Sequence, residues 1–411
     1  MSPLLALSRF DTFRSFRHRN YRLFYSGNLL SNTGSWIQRV AQDWLALELT
    51  NSATALGIVT ALQFGPALFF SLHGGRLADR FNKRHLIIWT NAVSALTALI
   101  IGLMVLTGTI SIGWLYALAL ASGITGALQA PVWQTFVHDL VGPDDMQNAI
   151  ALNSTNFNIG RLIGPGLSGL MIASFGTGPS FLVNAVSFGF SITALAIMRE
   201  SELFSFPEPD ADADGSIVAG LRYLRSRADI LSVLVIIAAA GTFGLNFQMF
   251  MALMAKQEFQ KTADAFGLLG SVMAIGSVAG ALAIARRVEA PTVRRVHALA
   301  IAFSAVTVLT GFAPTYEIYL VTLPFCGFTA LAMLATANAY VQSTTPGEFR
   351  GRVMGVYMLV FLGGTPLGSL VVGWLAEAIS PRASIIVGGG IVAVVALVTA
   401  LVPTTARKTL S

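Results

Sequence analysis

Apolar stretches recur along the whole chain, separated by short polar turns. A helix needs about 20 predominantly apolar residues to cross hydrocarbon. Twelve segments reach that length, near residues 22–48, 53–74, 85–107, 112–136, 147–174, 179–198, 230–256, 263–285, 295–313, 316–341, 352–378 and 383–402. The longest polar stretch, Arg199 to Asp229, divides them into two groups of six. It contains PEPDADADG, too polar and proline-broken to pack, followed by IVAGLRYLRSR, whose basic and apolar positions alternate as in a helix on a membrane surface. The pattern predicts a segment over 1–20, a six-helix bundle over 21–199, a linker with an amphipathic helix over 200–229, a second bundle over 230–403 and a tail over 404–411. In the first segment Phe10, Phe13 and Phe16 recur every third residue among Arg9, Arg14, Arg17 and Arg19, which predicts an interfacial helix on the inner leaflet.

Composition agrees with an all-α integral membrane protein. Of 411 residues, 54% are hydrophobic and 11% charged, with a mean hydropathy of +0.68. Soluble domains carry about 25% charged residues, so too few polar groups remain to cover a soluble particle. The formal charge of +6 reports orientation and not nucleic acid, because it sits in short loops with no groove-reading element. Of the 26 lysines and arginines, all but Lys256, Lys261, Arg382, Arg39 and Arg161 fall in the termini and the alternate loops of one side. That asymmetry predicts both termini in the cytoplasm. No apolar run in the first twenty residues suits a cleavable signal. The single cysteine, Cys326, lies in an apolar stretch and excludes a disulfide framework or a cysteine metal site. No GxxxxGK[ST] loop is present, so energy is expected from an ion gradient, not from ATP hydrolysis. The five histidines, His18, His73, His85, His138 and His297, fall near the predicted cytoplasmic ends and read as interfacial.

The halves echo each other at an offset of about 200 residues, as expected of two bundles related by an axis along the membrane normal. FVHDLVGPDDMQNAIALNSTNFNIGRLIGPGLSG begins at Phe136 and YVQSTTPGEFRGRVMGVYMLVFLGGTPLGS at Tyr340. Each runs from an aromatic-Val pair through a loop with Pro, Gly and acid to a Gly/Pro kink that interrupts a span.

Between the second and third spans lies GRLADRFNKR, residues 75–84. Gly75 lets a helix end approach a neighbour, and Asp79 suits the positive N-terminus of a facing helix. Arg80, Lys83 and Arg84 suit anionic inner headgroups. This run resembles the loop signature of the major facilitator superfamily of secondary transporters, with Asn82 where the pattern has glycine. The corresponding GALAIARR of the second half has Ile284 at the aspartate position, so an ionic lock is expected from the first half. In the fifth span, Gly160, Gly164, Pro165 and Gly169 open a groove for a neighbouring helix and bend the span. They resemble the antiporter and exporter signature of that superfamily, with Ser168 replacing one closing glycine. Asn32 to Arg39, Leu49 to Ala53, Asn148 to Ser154 and Phe349 to Met354 resemble the bacterial exporter branch that includes enterobactin and macrolide exporters.

The resemblance implies a major facilitator fold of two pseudo-symmetric six-helix bundles in a bacterial plasma membrane. It implies a proton-coupled exporter of small amphipathic organic molecules working by alternating access, and no enzyme. A proton-coupled importer on the same fold, or a non-transporting membrane receptor or assembly factor, are the alternatives. A monomer is expected, with a small-molecule substrate, protons and lipids as partners and no cofactor, metal or nucleic acid.

Depth selects the coupling residues. At about 1.5 Å per residue, Arg39 and Arg161 fall near the bilayer centre and Asp43 one turn beyond Arg39. Each such charge costs about 2.5–3.5 kcal/mol on insertion scales, which argues for a use. Asn32, Trp36, Arg39 and Asp43 share one polar face of the first span. Two readings follow: a fixed Arg39–Asp43 ion pair, or an Asp43 that takes up a proton and releases Arg39. Asn32, Trp36, Arg161, Gln129, Trp133, Asn246 and Asn338 are the expected substrate contacts.

Overall fold

The computed structural model describes residues 11–204, 217–286 and 289–401, apart from the side chains of residues 11, 72, 75, 76, 78, 79 and 217–221. The acidic linker stretch and the tail over 404–411 lie outside the described residues. Every long element is a helix, and no strand occurs among the described residues. In chain order the helices are α1 Arg19–Thr50, α2 Ala53–Phe64, α3 Pro66–Arg80, α4 Lys83–Leu106, α5 Ile112–Phe175, α6 Gly178–Ala196 and α7 Ile217–Ser226. There follow α8 Ala228–Ala239, α9 Phe247–Leu253, α10 Ala263–Ala285, α11 Val293–Gly311, α12 Tyr316–Thr344, α13 Gly347–Ala378 and α14 Pro381–Leu401.

Among the described residues ten helical stretches are long and apolar enough to cross a membrane. One of them, α5, has 64 residues and turns at Gly142, whose φ of +71° suits glycine alone, so it supplies two arms. The more polar α1, with 32 residues, adds a further long helix. The set is compatible with twelve spans. Large side chains such as Phe69, Trp89, Phe175 and Trp374 stand 60–72% exposed on these helices, an apolar exterior that suits lipid and not water.

The helices form two compact units. Unit 1 comprises residues 1–50, 62–209 and 262–271; unit 2 comprises 51–61, 210–261 and 272–411. The expected division into 21–199 and 230–403 is therefore modified by two exchanged pieces. In unit 2 the start of α2 packs on α13: Glu377 accepts from the Thr54 backbone N–H at 2.8 Å and the Ser52 hydroxyl at 2.6 Å, and Ser369 Oγ donates to the Gly57 carbonyl at 3.1 Å. In unit 1 the start of α10 packs on the second arm of α5, where a Cβ on Gly169 would lie 2.9 Å from the Gly267 Cα. Small residues at these crossings let the backbones touch, as membrane helices require.

In unit 1 the segment Asp11–Arg17 is a 3₁₀ turn, and it does not present its phenylalanines to a leaflet. Phe16 is 2% exposed, its ring 4.9 Å from Tyr25, with Phe13 stacked on it. The reason is Asp145, a buried carboxylate after the Gly142 turn, which draws the segment inward. Arg17 Nε lies 2.7 Å from it, His18 Nε2 2.8 Å and Arg14 Nε 3.1 Å. Phe10 lies outside the described residues. Unit 2 has a counterpart at its basic end. Arg227 forms both donor bonds of a fork to Asp229, at 2.7 and 2.9 Å, and Tyr340 donates to the same carboxylate at 2.7 Å. Tyr223 of α7 stacks on Phe349, which docks the amphipathic helix.

Two expectations about breaks are corrected. Pro165 and Pro366 lie inside helices α5 and α13, where only Gly142 has non-helical dihedrals, so neither proline interrupts its span. The interruption falls in the seventh span instead. There a π-turn over Ala240–Gly244 separates α8 from α9, and a second over Met254–Glu258 follows α9. In its most apolar 18-residue stretch 67% of the residues are buried, against 33–39% in the other spans.

Candidate functional site

The site-bearing residues of unit 1 meet where α1 crosses the second arm of α5. Two glycines set that crossing. A Cβ on Gly160 would lie 3.0 Å from Trp36 Cδ1, and one on Gly164 would lie 2.5 Å from Trp36 Cβ. Ser168 Oγ donates to the Ile37 carbonyl at 2.8 Å, a bond the glycine of the related pattern lacks. The Trp36 ring turns its edge to Phe157 at 5.6 Å.

Arg39 uses that aromatic wall. Its guanidinium lies 4.8 Å from the Trp36 ring centroid and 5.3 Å from that of Phe64. Such contacts stabilise a cation by about 0.5–2 kcal/mol. Among the described residues no ion pair within 4.0 Å joins Arg39 to Asp43. Asp43 is 3% exposed. Arg161, partly buried one residue beyond Gly160, has no hydrogen-bond or ion-pair partner among the described residues. No salt bridge within 4.0 Å therefore ties Arg39 to Asp43, which stand one turn apart on α1, with Arg161 on the neighbouring α5.

The other expected contacts divide. Asn32 Nδ2 donates to the Asn156 carbonyl at 2.9 Å. Gln129 Nε2 donates to Asn91 Oδ1 at 2.7 Å, and Asn91 Nδ2 to Ser191 Oγ at 3.0 Å. Trp133 packs 4.5 Å from the Phe24 ring. These three hold α1, α4, α5 and α6 together inside unit 1. In unit 2, Asn338 accepts from Gln342 at 2.6 Å. Asn246, 5% exposed, donates to the Thr242 carbonyl at 2.7 Å across the break, and its Oδ1 is unpaired.

The basic loop is largely spent on unit 1 itself. Asn82 caps α4 by accepting from His85 N. Lys83 pairs with Asp139 at 2.9 Å. Arg84 donates to the Leu195 and Ala196 carbonyls at 2.7 and 2.8 Å, satisfying the end of α6, and pairs with Glu200 at 2.7 Å. Arg80 is exposed. The surroundings of Gly75 and of the Asp79 side chain lie outside the described residues. No cluster of metal-ligating side chains occurs among the described residues.

The family model described as transmembrane secretion effector matches residues 10–410. The chain belongs to this family of the major facilitator superfamily. It is 28% identical to the multidrug efflux pump Tap of Mycolicibacterium fortuitum, over 85% of this chain and 87% of that protein. It is 24% identical to the enterobactin exporter EntS of Shigella flexneri, over 93% and 90%. In fold it is similar to a bacterial homologue of the human lysosomal transporter Spinster, with a TM-score of 0.73 at 16% identity, covering 92% of this chain and 96% of that one.

Sequence reasoning missed three features of this transporter. The Asp145 cluster was foreshadowed by an acid pair directly after Gly142-Pro143 and by four arginines upstream. The Asp229 fork was foreshadowed by Arg227 two residues earlier. The break at 240–246 was foreshadowed by Gly241, Gly244 and Asn246 within one apolar span.

Proposed function

We propose that this multi-pass secondary transporter of the exporter branch moves small amphipathic organic molecules out of a bacterial cell in exchange for protons. Asp43 is the proton carrier. The observation that supports this is a buried carboxyl with no ion-pair partner within 4.0 Å, one turn from an arginine held on aromatic rings. A carboxyl so placed trades one proton for one charge without first breaking a salt bridge. Arg39 and Arg161 leave the site positive when Asp43 is ionised, which favours neutral or anionic substrates over dications. Trp36, Phe64 and Phe157 supply the apolar face that amphipathic molecules need. Family membership and the efflux and exporter functions of Tap and EntS support the direction. The asymmetry of lysine and arginine supports a plasma-membrane orientation with both termini in the cytoplasm. The Gly75–Arg84 loop would serve as the inner lock, with Asp79 as its carboxylate.

The test is a panel of neutral, anionic and cationic amphipathic compounds, with cellular accumulation compared with and without the protein. Lower accumulation of neutral or anionic members, abolished when the proton gradient is collapsed, is the expected outcome. Raised accumulation would make the protein an importer, and no gradient-dependent difference for any compound would remove transport of these classes.

A further inference from the structure

The face of α1 that meets α6 is built as a ladder. Near its basic end Gly27 lies against Ala194 and Ser191, with a Cβ on it 2.9 and 3.0 Å from their Cβ and Cα. Two turns on, Gly34 lies against Ser187. On the next, Gln38 Oε1 accepts from Asn184 Nδ2 at 2.7 Å. Positions rise on α1 as they fall on α6, so the helices are antiparallel and steps of one turn on each stay in register. The same register, carried one turn further on each helix, sets Gln42 opposite Ser180.

That rung is unlike the others. Gln42 is 2% exposed and Ser180 0%, yet Gln42 Nε2 and Ser180 Oγ have no hydrogen-bond partner. Leaving a buried polar group unpaired costs about 1–3 kcal/mol, and two occur here on facing helices. An amide donor and a hydroxyl that both donates and accepts are the partners a buried water requires, which typically makes about three hydrogen bonds. The residue after Gln42 is Asp43, its Cα about 3.8 Å along the chain.

We propose that the Gln42–Ser180 rung holds a water molecule that relays protons to Asp43 from the end of α1 bearing Thr50. This rests on the reading of Asp43 as the proton carrier. Gln42 Nε2 donates to the water oxygen and Ser180 Oγ takes one of its hydrogens, which leaves the other for the Asp43 carboxylate. In the relay step the water gives that proton to Asp43, an O–H bond breaking as one forms. It regains a proton from hydronium arriving past Ala46, Thr177 and Thr50, and no charge remains on the rung. Few charged groups lie on the elements packed against α1 near Asp43. α6 carries no titratable side chain, and the second arm of α5 carries Arg161 besides Asp144 and Asp145 at its start, the latter spent on Arg14, Arg17 and His18. On α1 the nearest are Arg39 and Glu48, the latter already accepting from Trp44 Nε1 at 2.8 Å. The charged groups of the Asp11–Arg17 segment and of the first arm of α5 lie at the basic end, and Asp264 heads α10.

Infrared difference spectroscopy after a rapid pH drop tests this on the purified full chain, with protons as the only probe. The wild type should show a carboxylic-acid band that Asp43→Asn removes. Gln42→Leu and Ser180→Ala should keep the band and slow its appearance about tenfold or more, while Ser187→Ala, which breaks a neighbouring rung, should leave the rate unchanged. Thermal midpoints report whether each variant is folded. A band that appears at the wild-type rate in both rung variants overturns the relay and leaves Asp43 in place. Equal slowing in Ser187→Ala reduces the rung to packing. A wild type without an Asp43 band overturns the coupling assignment itself, and the relay with it.

Discussion

Asp43→Asn should abolish uphill export while leaving substrate binding within about twofold of wild type. The magnitude follows from the driving force. A gradient of one pH unit stores about 1.4 kcal/mol per proton, which sustains about a tenfold substrate ratio in a one-for-one exchanger. Asparagine keeps the shape of the carboxyl and one acceptor oxygen, puts an NH2 donor in place of the other, and carries no exchangeable charge. The variant should still exchange labelled for unlabelled substrate across a vesicle, since that half-reaction needs no net proton movement, and its rate should lose its dependence on pH. Accumulation against the gradient, measured in proteoliposomes with the medium one unit more acidic on the substrate-receiving side, should fall from about tenfold to unity. Retention of the wild-type ratio would remove Asp43 from coupling.

Gly164→Val should be the most damaging of the packing changes. A Cβ at this position would stand 2.5 Å from Trp36 Cβ and 3.3 Å from the Trp36 carbonyl carbon, so either α1 moves away or Trp36 abandons its position. Overpacking costs about 1–3 kcal/mol, and here it also removes the ring on which Arg39 rests. Both the thermal midpoint and transport should therefore fall. Gly126→Ala is the matched control: a Cβ there meets nothing within 4 Å, so transport should persist and the helix should gain up to about 1 kcal/mol. Comparable losses in the two variants would mean that the α1–α5 crossing has no special role.

The spans were legible because lipid imposes one rule on every residue that faces it, and length and apolarity record that rule directly. The positions of Arg39, Asp43 and Arg161 were legible for the same reason, as costly exceptions to it. What those charges touch was not legible. Whether Arg39 reaches for Asp43 or for Phe64 depends on a ring from another helix, which no spacing along α1 encodes. Phe16 was misread because its stripe fits a leaflet as well as a core, and the deciding group, Asp145, lies 129 positions away in sequence. Pro165 does not interrupt its span, because an internal proline frees a carbonyl while its neighbours keep helical dihedrals. The exchanged pieces 51–61 and 262–271 follow from glycine and serine contacts at the span ends, a signal too common in membrane helices to be decisive alone.

The most direct measurement is proton movement by the wild-type protein itself. In proteoliposomes with a trapped pH indicator and no imposed pH gradient, an outward gradient of a transported neutral compound should drive protons inward and acidify the lumen, at a rate that follows substrate flux. The same vesicles containing Asp43→Asn should show substrate exchange without acidification. Substrate flux by the wild type with no change in lumenal pH, or with alkalinisation, would contradict proton-coupled export.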